Sequence, residues 1–177
     1  QTAQKETGRE KKSAGRIFSF SEMEQPELFF SVVLAEKPKK ALLPIPAFAE
    51  YEQALRTVDC EIIYYKLKRE NNFALTESLL EELTEDIDLV FLCSPSNPSG
   101  QVIEPVLMEQ ILTRCEEKKI RLVLDECFIE FLEEAQKYTM VKKVDRSCVP
   151  FSCTGIYEDV WNPGIETGIC NDIGRRT

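Results

Sequence analysis

Two stretches limit the choice of fold more than anything else in this chain: Asp88-Leu-Val-Phe-Leu-Cys93 and Ile120-Arg-Leu-Val-Leu124. Both are short and rich in β-formers, with no regular polar alternation, so each calls for a strand covered on both faces of a sheet. Between them Pro105 suits the first turn of a helix. Leu107, Ile111 and Cys115 follow on one helical face, with Met108 and Leu112 beside them. Two buried strands joined by a helix make a parallel pair, and the default crossover is right-handed.

The same alternation runs upstream. Lys40-Ala-Leu-Leu-Pro44 is a short apolar run closed by proline, which predicts a strand end. Ala47 to Val58 predicts a helix with Phe48, Tyr51 and Leu55 on one face. Cys60 to Lys66 is β-rich, and Thr76 reads as the cap of a helix over Glu77–Leu83. The expected class is α/β, a parallel sheet in a three-layer sandwich.

Leucine runs densely from Leu28 to Leu132 and is absent from 1–27 and 133–177. Four of the seven glycines fall in the last 33 residues, which sets that end apart in composition from the middle. We therefore expect a folded middle, 28–144, between an N-terminal segment, 1–27, and a tail, 145–177, that lack the native packing of the core. The 177 residues suffice for one domain of ordinary size.

A net charge of −9 argues against broad nucleic-acid binding, which needs a basic footprint. No run reaches the ~18–20 apolar residues of a membrane span, and no signal peptide is visible. The seven cysteines are irregularly spaced, odd in number and contain no C-x-x-C pair. That disfavours a disulfide framework or a zinc site and suggests a reducing, cytoplasmic setting. Cys93 and Cys127 read as buried thiols. The chain has no histidine, so Ser-His or Cys-His nucleophile pairs and histidine metal sites are excluded within it.

In a parallel α/β sheet, ligands bind beyond the carboxyl ends of the strands. Three polar features lie there: Ser94-Pro-Ser-Asn-Pro-Ser-Gly100, Asp125-Glu-Cys-Phe128, and Pro44-Ile-Pro-Ala-Phe-Ala-Glu-Tyr51. Each has a plain alternative. Asn97-Pro98 is a common turn dipeptide. Asp125 could be a helix cap or a surface charge, and Phe48 ordinary core. Together, on successive strand ends, they are more specific than any one of them.

These segments resemble a known family. Ser-Asn-Pro-Ser-Gly is similar to the N-P-x-G loop of pyridoxal-phosphate aminotransferases of the aspartate-aminotransferase fold. Asp125-Glu-Cys-Phe128 is similar to their D-E-A-[YF] strand end. The resemblance runs from about Leu28 to Tyr138 and implies part of the large domain of a fold-type I enzyme. Within the family, the Phe48–Leu55 run and Phe128-Ile-Glu-Phe131 resemble the threonine-phosphate decarboxylase branch of cobalamin synthesis. The related histidinol-phosphate aminotransferases more often carry Tyr where this chain has Phe128, and they remain the alternative. The resemblance implies pyridoxal 5'-phosphate as cofactor and a small phosphorylated amino acid as substrate. Asp125 would pair with the pyridine nitrogen, Asn97 would bond the phenolic oxygen, and Phe48 would stack on the ring. Phe128 would lie beside that oxygen without the hydroxyl that Tyr provides. Relatives are homodimers.

Two family features have no in-frame match here: the Schiff-base lysine motif downstream of the Asp strand, and the Gly-rich phosphate turn. Lys137, Lys142 and Lys143 stand in no such context. Reading Ile156–Arg176 one base later through permissible codons can give the lysine motif, its lysine codon straddling Glu158 and Asp159. Glu22–Pro26 read two bases later can give part of the phosphate turn. The expectation is a change of frame near each end, no working catalytic lysine, and a chain that tends to self-associate. The other reading is a non-catalytic remnant product.

Overall fold

The computed structural model describes residues 17–20 and 26–140. In chain order these form β1 (Ile17–Phe20), α1 (Pro26–Glu36), β2 (Lys40–Ile45), α2 (Ala49–Arg56), β3 (Glu61–Lys66), α3 (Leu79–Glu82), β4 (Leu89–Cys93), α4 (Pro105–Lys118), β5 (Arg121–Asp125) and α5 (Ala135–Tyr138). The five strands make one sheet in the order β1-β5-β4-β2-β3, and every pair is parallel.

The two faces of the sheet are apolar because neighbouring residues in each strand point to opposite sides. Leu42, Val90, Leu92, Leu122 and Leu124 face α3 and α4, where Leu79, Leu83, Leu107, Met108, Ile111 and Cys115 complete one core. Ala41, Leu43, Leu89, Phe91 and Val123 face α1 and α2, where Phe29, Val33, Tyr51 and Leu55 complete the other. A strand with cover on both sides cannot alternate with polar residues, which is why β4 and β5 read as continuous apolar runs. Strand β3 is the exception: its residues are half-buried or exposed, as befits its place at one end of the sheet.

The end of the sheet opposite the candidate site is tied by charge. Arg121 donates from Nη1 to the Glu36 carboxylate at 2.8 Å and from Nε to the Asp88 carbonyl at 3.0 Å. Asp88 Oδ2 accepts from the backbone N–H groups of Lys39 and Lys40. These bonds hold the starts of β2, β4 and β5 level with the end of α1, so the opposite strand ends also come out level.

The structure differs from the sequence expectation at several points. Ile17–Phe20, inside the segment expected to lie apart from the core, pairs with β5 over Ile17↔Leu122 to Phe20↔Asp125. Two phenylalanines in four residues are too short a pattern to read without a partner strand. Helix α1 begins at Pro26, within the same segment. Thr76 does not cap a helix: α3 starts at Leu79, and the Thr76 hydroxyl bonds Ser78 and Tyr65 instead. Cys93 and Cys127 are half-buried, and among the described residues the buried thiol is Cys115. The tail 145–177 and the segment 156–176 of the frame argument lie outside the described residues, as do Lys142 and Lys143.

Candidate functional site

Strand order decides where a ligand can sit. From β2 the chain leaves through α2 to β3 on one side, and from β4 it leaves through α4 to β5 on the other. Strands β2 and β4 are neighbours. Connections that diverge from adjacent strands leave a crevice at their carboxyl ends, the usual ligand position in open parallel sheets. A hollow lies there, lined in part by Pro46, Ala47, Tyr51, Cys93, Ser96 and Asn97.

Asp125 ends β5 and is buried, 3% exposed. Its Oδ2 accepts from the Tyr51 hydroxyl at 2.5 Å and its Oδ1 from the Cys127 N–H at 2.9 Å. Asp125 itself lies one hydrogen bond behind the hollow, and Tyr51 links the two. The Tyr51 ring is held by three others. It stacks on Phe91 at 5.1 Å and meets Phe29 and Phe48 edge-on at 5.0 and 5.7 Å. Phe48 is half-buried and stands just before the first turn of α2, outside the helix proper.

Asn97 lies in the loop from β4 to α4. Gly100 N–H donates to the Ser96 carbonyl at 2.6 Å, and Ser96 N–H to the Gln101 carbonyl at 2.8 Å, closing the loop on itself. Gly100 has φ +69°, a conformation that favours glycine. Buried Ser94 fixes the loop to its surroundings. Its N–H donates to the Asp125 carbonyl at 2.9 Å and its hydroxyl accepts from Ile103 N–H at 3.0 Å. The Ser94-Pro95 and Asn97-Pro98 peptides are cis.

The structure thus brings Phe48 and Asp125 against Tyr51, and Asn97 lines the same hollow as Tyr51. Phe128 stands apart from that group: it is half-buried, and its ring contact is with Phe131 at 6.1 Å. Glu126 turns away from the site and is 1% exposed. Its carboxylate accepts from the Thr139 hydroxyl at 2.8 Å and from Met140 N–H at 2.7 Å, fastening the segment after α5. Lys137 is exposed on α5, where its Nζ donates to the Tyr138 hydroxyl at 3.2 Å. Sequence reading missed Tyr51 as a site residue because its spacing with Phe48 and Leu55 places it on an apolar face. The available signal was its hydroxyl, since a tyrosine on a buried face must find a partner for it.

Burial raises several acids here. It pushes the Cys93 thiol up to about 12, with the charge of Asp125 adding to the effect. Burial alone lifts Cys115 to about 12. Burial, then Cys93 and Asp125, raise the Tyr51 phenol far above its usual range. These groups stay protonated in the folded chain after the unfolded chain has begun to ionise, so the folded state binds more protons. Stability should therefore be full below pH ~8.5, where unfolded thiols are protonated, and fall as the pH rises towards about 12. Denaturant midpoints across that range check this. The decline should be shallower in Cys115→Ala, and a midpoint independent of alkaline pH would contradict it.

The family model for class I and II aminotransferases matches residues 17–154. The chain is 42% identical over 108 residues to a threonine-phosphate decarboxylase of Salmonella typhimurium, covering 61% of this chain and 30% of that protein. It is 34% identical over 145 residues to a putative threonine-phosphate decarboxylase of Caldanaerobacter subterraneus, covering 80% of this chain and 39% of that one. Among solved structures, the histidinol-phosphate aminotransferase of Clostridium acetobutylicum superposes with a TM-score of 0.56 at 26% identity, over 67% of this chain and 34% of that chain. The chain therefore spans between 30% and 39% of the length of these two curated relatives.

Proposed function

Because the chain belongs to the class I and II aminotransferase family, we propose that its crevice holds the ring of pyridoxal 5'-phosphate and that the site belongs to a threonine-phosphate decarboxylase. The observation that carries the reading is the buried Asp125 carboxylate, one hydrogen bond behind the hollow at the carboxyl ends of β2 and β4. The residues present suit the ring. A carboxylate with acceptor capacity beyond its two protein bonds suits a pyridinium N–H. Asn97 lines the hollow and offers an amide to a phenolic oxygen. Phe48, half-buried beside Tyr51, offers a ring face. Phe128, three residues after Asp125, has no hydroxyl to give. When bound, the cofactor supplies an electron-accepting ring to bond cleavage next to an amino group. The residues of this chain bind and orient that ring, and Asp125 holds the proton on its nitrogen.

The substrate reading is supported by the decarboxylase similarity and by Phe128, and it makes the substrate a small phosphorylated amino acid. A histidinol-phosphate-type aminotransferase is the second reading, favoured by the likeness to the Clostridium structure. The 177 residues carry the lysine motif in no frame-consistent position. On this reading ring contacts hold the cofactor without a covalent link, and the polypeptide is non-catalytic. The test is to mix the chain with pyridoxal phosphate, follow its absorbance, reduce with borohydride and map modified lysines by mass spectrometry. We expect a bound-state spectral change with scattered, substoichiometric labelling. Stoichiometric capture of one lysine, with turnover of threonine phosphate, would overturn the non-catalytic part of the reading.

A further inference from the structure

We propose that Tyr51 is a positioning residue: its hydroxyl fixes the Asp125 carboxylate in the orientation that receives a pyridinium N–H. This rests on the cofactor reading above and adds to it a residue outside the set of ring contacts.

Three features of the fold lead there. The aromatic box of Phe29, Phe48 and Phe91 accounts for the ring of Tyr51 but not for its hydroxyl. A phenylalanine would fill the same box. The residue is 1% exposed, so its hydroxyl must be satisfied inside the protein, and it is satisfied by Asp125 at 2.5 Å. Next, the two donors on Asp125 fall on different oxygens, Tyr51 on Oδ2 and Cys127 N–H on Oδ1. One donor alone leaves a carboxyl free to turn about its broad terminal torsion. Two donors, one on each oxygen, hold its plane. Finally, the donors come from different parts of the chain. Cys127 is two residues from Asp125, whereas Tyr51 is 74 residues away on α2. The Tyr51 bond therefore ties Asp125 on β5 to the helix that follows β2, across the β4 strand between them. It registers the carboxylate against the crevice that Tyr51 itself lines.

The phenol serves as a donor at all ordinary pH, since burial and its neighbours keep it protonated. A charge-assisted bond of this kind is stronger than a neutral one, which suits a group that must hold a partner still.

The experiment is a double-mutant cycle read by the dissociation constant of pyridoxal phosphate for the full chain, using Tyr51→Phe, Asp125→Asn and the pair. Sucrose in every sample favours the folded state, and circular dichroism checks it. Tyr51→Phe should weaken binding roughly tenfold, the scale of one hydrogen bond to a charged group. In the pair, Tyr51→Phe should add little to Asp125→Asn, because Tyr51 acts through Asp125. Full additivity, or unchanged binding by Tyr51→Phe, would overturn the proposal while leaving the cofactor reading intact. Failure of the unmodified chain to bind, or normal binding by Asp125→Asn, would overturn both. A second measurement needs no variant and no cofactor: side-chain couplings of Asp125 by NMR in the unmodified chain. A single rotamer supports the proposal, and averaging among rotamers overturns it even where Tyr51→Phe does not fold.

Discussion

Phe91→Ala should cost the fold a large share of its stability and lower its urea midpoint sharply. Phe91 is 1% exposed in the middle of β4, and its ring stacks on Tyr51 while meeting Phe29 edge-on at 6.0 Å. Truncating a buried phenylalanine removes its burial energy and leaves a cavity, together about 3–5 kcal/mol. Domains of this size are stable by about 5–15 kcal/mol. The loss also reaches the site, because Tyr51 would lose the ring on which it lies flat. Urea unfolding followed by circular dichroism measures this directly. A midpoint close to that of the unmodified chain would show that the α1–α2 face of the sheet is not packed as described. Phe91→Leu keeps most of the volume and should be much milder.

Asp125→Asn should have the largest effect on the site at the smallest cost to the fold. The amide keeps an oxygen for Cys127 N–H, and its remaining group can meet the Tyr51 hydroxyl, which both donates and accepts. What disappears is the charge offered to a pyridinium. Hydrogen bonds to charged groups contribute about 1.5–3 kcal/mol, so pyridoxal phosphate should bind roughly 10–100-fold more weakly. An absorbance titration measures the change, and a urea midpoint within about 1 kcal/mol of the unmodified chain shows that the fold has not moved. Unchanged binding would remove Asp125 from the site.

The two predictions concern different links between sequence and function, and the sequence made them legible to different degrees. Strands β2, β4 and β5 and helix α4 could be read because their signals are local: unbroken apolar runs, a proline at the first helical position, and apolar residues every three or four places. Strand β1 could not, because Ile17-Phe-Ser-Phe20 becomes a strand only when β5 supplies hydrogen-bond partners 105 places on, as in the pairing of Ile17 with Leu122. Thr76 misled for a related reason. Its hydroxyl had a cap to offer, but the tertiary structure placed Tyr65 and Ser78 within reach first.

The candidate site shows the same division. Asp125, Asn97 and Phe48 stand out because polar or aromatic residues just after buried strands are where parallel sheets bind ligands, and the sequence alone determined their positions on strand ends. It determined as well the layered α/β class, since chains of buried strands and amphipathic helices have few other ways to cover their apolar faces. Only the tertiary structure decided that β2 and β4 are the neighbours whose connections diverge, which opens the crevice. It alone separated Asp125 from Glu126, turning one towards Tyr51 and the other towards Thr139 and Met140. It alone made Tyr51 part of the site. The physical reason is one of range: burial patterns are written in neighbouring residues, whereas a hydrogen bond across 74 positions exists only once the sheet has set its strand order.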